Sequence, residues 1–123
     1  MVSCLNYNLK LQRVDSNNVI TNQADLSQSV NLPNNVVGDQ NYLIAAGAVD
    51  VPLNIESPNA DIVALFPAVE ITVKLNAVTG TPMTIRSGGV LFIDGKNITA
   101  IYVSNSGSSA ANLRFIQAER TGA

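Results

Sequence analysis

Leu5, Tyr7, Leu9 and Leu11 alternate strictly with Asn6, Asn8, Lys10 and Gln12. A period of two puts every apolar side chain on one face of an extended chain; on a helix the same residues would scatter round the axis. Val69, Ile71, Val73 and Leu75 repeat the pattern against Glu70, Thr72, Lys74 and Asn76. Both stretches, residues 3–13 and 69–76, are predicted strands with one dry and one wet face. Val, Ile and Thr number 14, 10 and 7 in 123 residues, a quarter of the chain, and branched side chains suit a pleated surface. No window of a dozen residues carries a helical period. The nearest, Ala60–Ala68, is bracketed by Pro58 and Pro67, and its Ile62-Val63 favours a strand.

Shorter predicted strands fall at residues 18–22, 28–32, 41–46, 49–55, 61–66, 83–86, 90–93, 98–104 and 112–118. Ile98, Ala100 and Tyr102 oppose Ile101 and Val103, so 98–104 is predicted to be central and buried on both faces. The segments between them carry turn chemistry. Asp94-Gly95 suits a two-residue hairpin between Val90–Ile93 and Lys96–Ile98, and Ser106-Gly107, residues 79–82, Ser87-Gly88-Gly89 and Asn34-Asn35 mark further turns. There is no internal repeat, linker or low-complexity tract. Eight to ten short strands with frequent turns predict an all-β fold, a single-domain β-sandwich of jelly-roll type over residues 1–123.

Residue types exclude much chemistry. Histidine is absent and Cys4 is the only cysteine, which rules out a Ser-His-Asp or Cys-His nucleophile, a His/Cys zinc site and an intrachain disulfide. The same lack of histidine argues against a cupin-like enzyme. The nine carboxylates (Asp15, Asp25, Asp39, Asp50, Glu56, Asp61, Glu70, Asp94, Glu119) sit beside turns or on polar strand faces, as solvated residues do. Asp94 is expected to start its hairpin. The Asn-rich loops at 15–18 and 31–41 have carbonyls for a cation but no dense acidic pattern. Ser87-Gly88-Gly89 lacks the flanking residues of a nucleophile elbow or phosphate loop. No catalytic residue, cofactor or metal is expected, and the chain is not expected to be an enzyme.

Seven basic and nine acidic residues give a net charge of −2, with the basic ones scattered, so neither nucleic acid nor membrane is an expected partner. The first seven residues resemble no signal peptide, and no apolar run is long enough for a spanning helix. Synthesis in a cytoplasm is expected. Charged residues make up 13% of the chain, against 15 Asn and 10 Ser. An uncharged polar surface desolvates cheaply, which favours a homo-oligomer or a larger assembly. Tyr7, Tyr42 and Tyr102 lie inside predicted strands, where core packing is expected, and Trp is absent. A carbohydrate-binding module, which stacks sugars on such rings, is the alternative from a different class.

Residues 1–14 invite two readings: an edge strand of the chain's own sheet, or an arm that pairs with a neighbouring subunit through a polar hinge at Asp15-Ser16-Asn17-Asn18. On the second reading Leu5, Tyr7, Leu9 and Leu11 are the partner-contact residues.

The run Ser87-Gly88-Gly89-Val90-Leu91-Phe92-Ile93-Asp94-Gly95 is followed by Asn97-Ile98-Thr99-Ala100-Ile101-Tyr102-Val103-Ser104-Asn105 and by Ala111-Asn112-Leu113-Arg114-Phe115-Ile116-Gln117-Ala118. With the strand at 70–76 and Met83-Thr84-Ile85, this resembles the closing strands of small all-β virion proteins of tailed bacteriophages, over residues 69–118. The resemblance implies a structural role on a virion, most like a head decoration (cement) protein. Such a protein commonly forms trimers over junctions of the major capsid protein. A tail, neck or fibre-base component is the alternative in the same setting. The implied location is the capsid surface, and the implied partners are other copies of the chain and virion proteins.

Overall fold

The computed structural model describes residues 3–32, 37–55 and 60–119, and every regular element among them is a strand. Strands β1 (Ser3–Val14) and β2 (Ile20–Leu32) form a two-stranded sheet of their own. The other eight are β3 (Val37–Ile44), β4 (Val51–Pro52), β5 (Ala60–Pro67), β6 (Ile71–Leu75), β7 (Met83–Ile85), β8 (Leu91–Ile98), β9 (Ile101–Ser104) and β10 (Ala111–Ala118). They build two four-stranded sheets, ordered β3-β10-β5-β8 and β4-β9-β6-β7.

The antiparallel pairs are nested: β3 with β10, β4 with β9, β5 with β8 and β6 with β7. One long ribbon, bent back on itself at residues 76–82, is rolled up so that β10 also pairs β5 and β9 also pairs β6. That is the jelly roll, and the all-β expectation holds. Alternation fills the space between the sheets. Leu113 and Phe115 of β10 and Val63 and Leu65 of β5 face Ile71, Val73, Ile101 and Val103 of the other sheet, all essentially without solvent contact. Burying each such side chain stabilises the fold by about 1.5–3 kcal/mol before the entropy of ordering is subtracted.

Several expectations need correction. Asp94-Gly95 is not a turn: β8 runs through it, and the pairing with β5 slips between Ala60 and Ile62. A glycine there accommodates the irregularity, and five registered non-local pairs with β5 override a local turn preference. The predicted strand 98–104 is divided, since Ile98 ends β8 and β9 begins at Ile101. Strand β9 is central in its sheet, yet Tyr102 and Ser104 are only half-buried. The strand buried on both faces is β5, where only Phe66 is exposed. Residues 49–55 contribute only the two-residue β4, whereas 18–22 and 28–32 belong to the single long β2. Asp61 is buried at 1% exposure rather than solvated, and Asp50 and Asp94 are half-buried. The Asn34-Asn35 turn lies outside the described residues.

Asn105 shows how one end of the roll is tied. Its buried amide donates to the Ile44 carbonyl at 3.1 Å and the Ser109 carbonyl at 2.8 Å, and its Oδ1 accepts from Gly107 N–H at 3.0 Å. All three contacts brace the Ser106-Gly107 loop against the end of β3, so the buried amide is compensated.

Candidate functional site

The outer faces of the two sheets are chemically opposite. On the sheet containing β6 and β9, the outward residues are Thr72, Lys74, Tyr102 and Ser104, and Lys74 makes an ion pair with Asp50 at 3.1 Å. On the other sheet, β5 turns Ile62, Ala64 and Phe66 outward, with Ile116 and Ala118 of β10 on one side and Phe92 of β8 on the other. An apolar outer face needs a cover, and the β1–β2 hairpin supplies part of one.

The register makes the hairpin two-faced. Leu5 opposes Val30, Tyr7 opposes Gln28, Leu9 opposes Leu26 and Leu11 opposes Ala24, so these residues share one largely apolar face. The opposite face pairs Asn6 with Ser29, Asn8 with Ser27 and Lys10 with Asp25. Past Leu11 the register shifts and Gln23 is the extra residue on β2. The turn is built by Asp15, whose Oδ1 accepts from the N–H groups of Asn17 at 2.8 Å and Val19 at 2.9 Å. Asn18 takes the left-handed conformation, φ 63°, that asparagine tolerates better than other non-glycine residues. The predicted hinge at 15–18 is therefore a hairpin turn. Strand β1 is an edge strand paired within the chain's own sheet, as one of the two readings has it, and that sheet is the β1–β2 hairpin, apart from the two sheets of the body.

Among the described residues, the hairpin is fixed to the body at its root. Leu5, Tyr7 and Val30 pack with Ile62 and Ala118. The Tyr7 ring lies 4.7 Å from that of Phe92, tilted by 56°, and its hydroxyl donates to Asp94 Oδ2 at 2.6 Å. Asp94 thus anchors the hairpin instead of starting one. Of the four residues expected to contact a partner, Leu5 and Tyr7 are half-buried against the chain's own sheet, while Leu9 and Leu11 stay exposed. Leu26, Val14, Val19 and Ile20 share that exposure. At 3.4 Å per residue the twelve residues of β1 span about 40 Å, and roughly the distal half has an uncovered apolar face.

Between β1 and the sheet runs a groove of about 350 Å³. Its floor is Ala64, Phe66, Phe92 and Ile116 with Val90 at the rim, and its wall is β1 from Leu5 to Leu9, on whose far side no strand pairs among the described residues. No residue lining it carries a charge. Sequence reading found the apolar half of this surface through the alternation in β1. It missed Phe66, Val90 and Phe92, although Phe66 and Phe92 sit at alternate positions to Ala64 and Asp94 in strands read correctly as strands. The missing signal was that β5 is buried on both faces, which only its neighbours decide. The other tyrosines do not form a stacking platform. Tyr42 packs against the core, 6.5 Å from Phe115, and donates its hydroxyl to Gln40 at 2.9 Å, while Tyr102 lies half-buried on the polar sheet.

No protein-family model and no curated protein matches this sequence. Among solved structures, the chain is similar to the cupin domain of Schizosaccharomyces pombe Cnp3, at a TM-score of 0.52 and 16% identity, over 93% of this chain and 88% of that one. It is also similar to the Fe(II) form of HppE, at a TM-score of 0.51 and 13% identity, over 89% of this chain but only 56% of that one. Iron in such a protein raises the question of a metal here, and the interior does not fit one. There is no histidine for an imidazole ligand, the space between the sheets is filled by apolar side chains, and no three of His, Cys, Asp and Glu cluster among the described residues. Of the three buried polar side chains among the described residues, Asn105 is committed as above and Gln117 donates to the Asn54 carbonyl at 2.8 Å. At these identities the likeness is one of architecture: the body is a cupin-like, jelly-roll β-fold.

Proposed function

We propose that this chain is a non-enzymatic structural protein that works by docking onto other protein chains, and that its setting is the virion of a tailed bacteriophage. Within that setting the reading is a head decoration protein, bound to the outside of the major capsid lattice as an oligomer. The observation that carries the docking role is the hairpin, anchored at its root and carrying an uncovered apolar ribbon away from a tightly packed body. The body itself is filled with Val, Leu, Ile and Phe, which suits a rigid block better than a reaction chamber. The virion setting rests on the strand-and-turn resemblance over residues 69–118. A decoration protein adds buried area across subunit junctions, and modest contacts suffice because many copies act together.

The test is to titrate the purified protein onto empty heads and onto isolated tails of the phage that carries the sequence. Saturable binding to heads, with a raised temperature of head disruption, is the expected result. Binding to tails alone would replace the head reading with a tail, neck or fibre-base role. Binding to neither would overturn the virion setting altogether.

A further inference from the structure

We infer that the groove under β1 receives the distal hairpin of a second copy of this chain. The inference rests on the docking role proposed above and names its first partner. Two-stranded hairpins are marginal in water unless an apolar partner covers them. Among the described residues the chain covers only the root of its own hairpin, because Leu11 and Leu26 do not line the groove and β1 itself forms the wall. A hairpin can enter that groove only from another molecule.

The two surfaces match in chemistry. The groove has no charged lining residue, and Lys10 and Asp25 of the hairpin lie on the face opposite Leu9, Leu11 and Leu26. Arg13, two residues past Leu11, is the one charged residue of β1 on that face and sits at its far end, so burial of Leu9, Leu11 and Leu26 desolvates neither Lys10 nor Asp25, and nothing in the groove selects a charged foreign partner. The two surfaces also match in size. Leu9, Leu11 and Leu26 on that face, together with Phe66, Val90 and Phe92, are each 39–55% exposed. At roughly 200 Å² for a whole large apolar residue, the six show on the order of 600 Å² per copy, at the lower end of what each partner contributes to a standard interface. An arm-to-groove contact closes as a reciprocal pair or as a ring.

The experiment uses two variants of the full chain. The arm variant carries Leu11→Asp with Leu26→Asp, far from the body; the groove variant carries Val90→Asp with Phe66→Asp, both exposed. Circular dichroism confirms that each keeps the sheet signal, and Val90→Asp alone replaces the double change if it does not. Light scattering across a concentration series should find the wild type assembled and each variant at 13.0 kDa, its self-association weakened at least 100-fold. Mixing the variants should restore one contact, from the intact arm of one to the intact groove of the other, and give a species of twice 13.0 kDa. An arm variant that assembles like the wild type overturns the inference, and so does a mixture that stays monomeric. A monomeric wild type overturns it as well. That result leaves head binding to decide the docking role separately, with loss of head binding in the arm variant assigning the hairpin to a virion partner instead.

Discussion

Between the two sheets of the jelly-roll body each apolar stripe meets another, and Phe115 of one sheet is enclosed by side chains of both. In the hairpin a stripe of equal regularity meets a partner only as far as Tyr7, and from Leu9 onward it faces solvent. The same local code, apolar residues at every second position, thus yields a closed core in one region and an open ribbon in the other. Alternation specifies a face; whether that face becomes core or interface depends on how many further faces the chain brings to it. The body has two sheets to oppose, whereas the hairpin has only the outer face of one sheet, shorter than itself.

Substitutions break this contrast in a graded way. Phe115→Ala should lower stability by about 3–5 kcal/mol, because it empties an enclosed site that cannot collapse, and a calorimetric or denaturant midpoint measures it. Asn105→Ala should cost about 1–3 kcal/mol in the same assay, since the Ile44 and Ser109 carbonyls and the Gly107 N–H lose their shared partner. Tyr7→Phe should cost about 1 kcal/mol through the lost bond to Asp94. That effect should appear as faster hydrogen exchange of the β1 and β2 amides with the body unchanged; equal acceleration in both regions would mean that hairpin and body unfold as one unit. Leu11→Ser should stay within about 0.5 kcal/mol in the dilute monomer, where the side chain is solvated already. A larger loss there would mean that the ribbon is covered after all.

The smallest effect belongs to the body surface. Arg114 donates to both carboxylate oxygens of Asp39, at 3.0 and 2.7 Å, and this pairing holds the Asp39 pKa below its ordinary 3.8. A depressed folded value means that the pair's contribution is present above pH 3.8 and fades as pH falls through the lower folded value. Both groups are exposed, so water and salt screen the pair. Carbon-13 titration of the Asp39 carboxyl should give a midpoint below 3.8 that rises in Arg114→Gln, with the thermal midpoint at neutral pH scarcely moved.

The sequence made the body legible and the hairpin half so. The alternations at 3–13 and 69–76 and the density of branched residues were sufficient for an all-β roll, because each strand's dry face is recorded in the strand itself. The hairpin was harder. Its turn uses Asn18 where a glycine would have advertised it, and Thr21-Asn22-Gln23-Ala24-Asp25 has no apolar alternation, with the extra residue Gln23 breaking the period. Asp94-Gly95 misled in the opposite direction, since a strong local turn signal was overruled by pairing with β5, some thirty residues earlier. The groove was legible only in its β1 wall. Its floor depends on which strands become neighbours, and that is a property of the roll.

Strand β10 lies between β3 and β5, so the last strand to be synthesised among those described fills the middle of its sheet. Until residues 111–118 have left the ribosome, β3 has no partner in that sheet and the inner face of β5 lacks Leu113 and Phe115. The Ala118 side of the hairpin's seat is missing for the same interval. Folding of the body is therefore dominated by distant pairings, which places it among slow folders. The hairpin, by contrast, is local and emerges first. A nascent chain consequently displays the apolar face of its hairpin for the whole time that its landing site is unfinished.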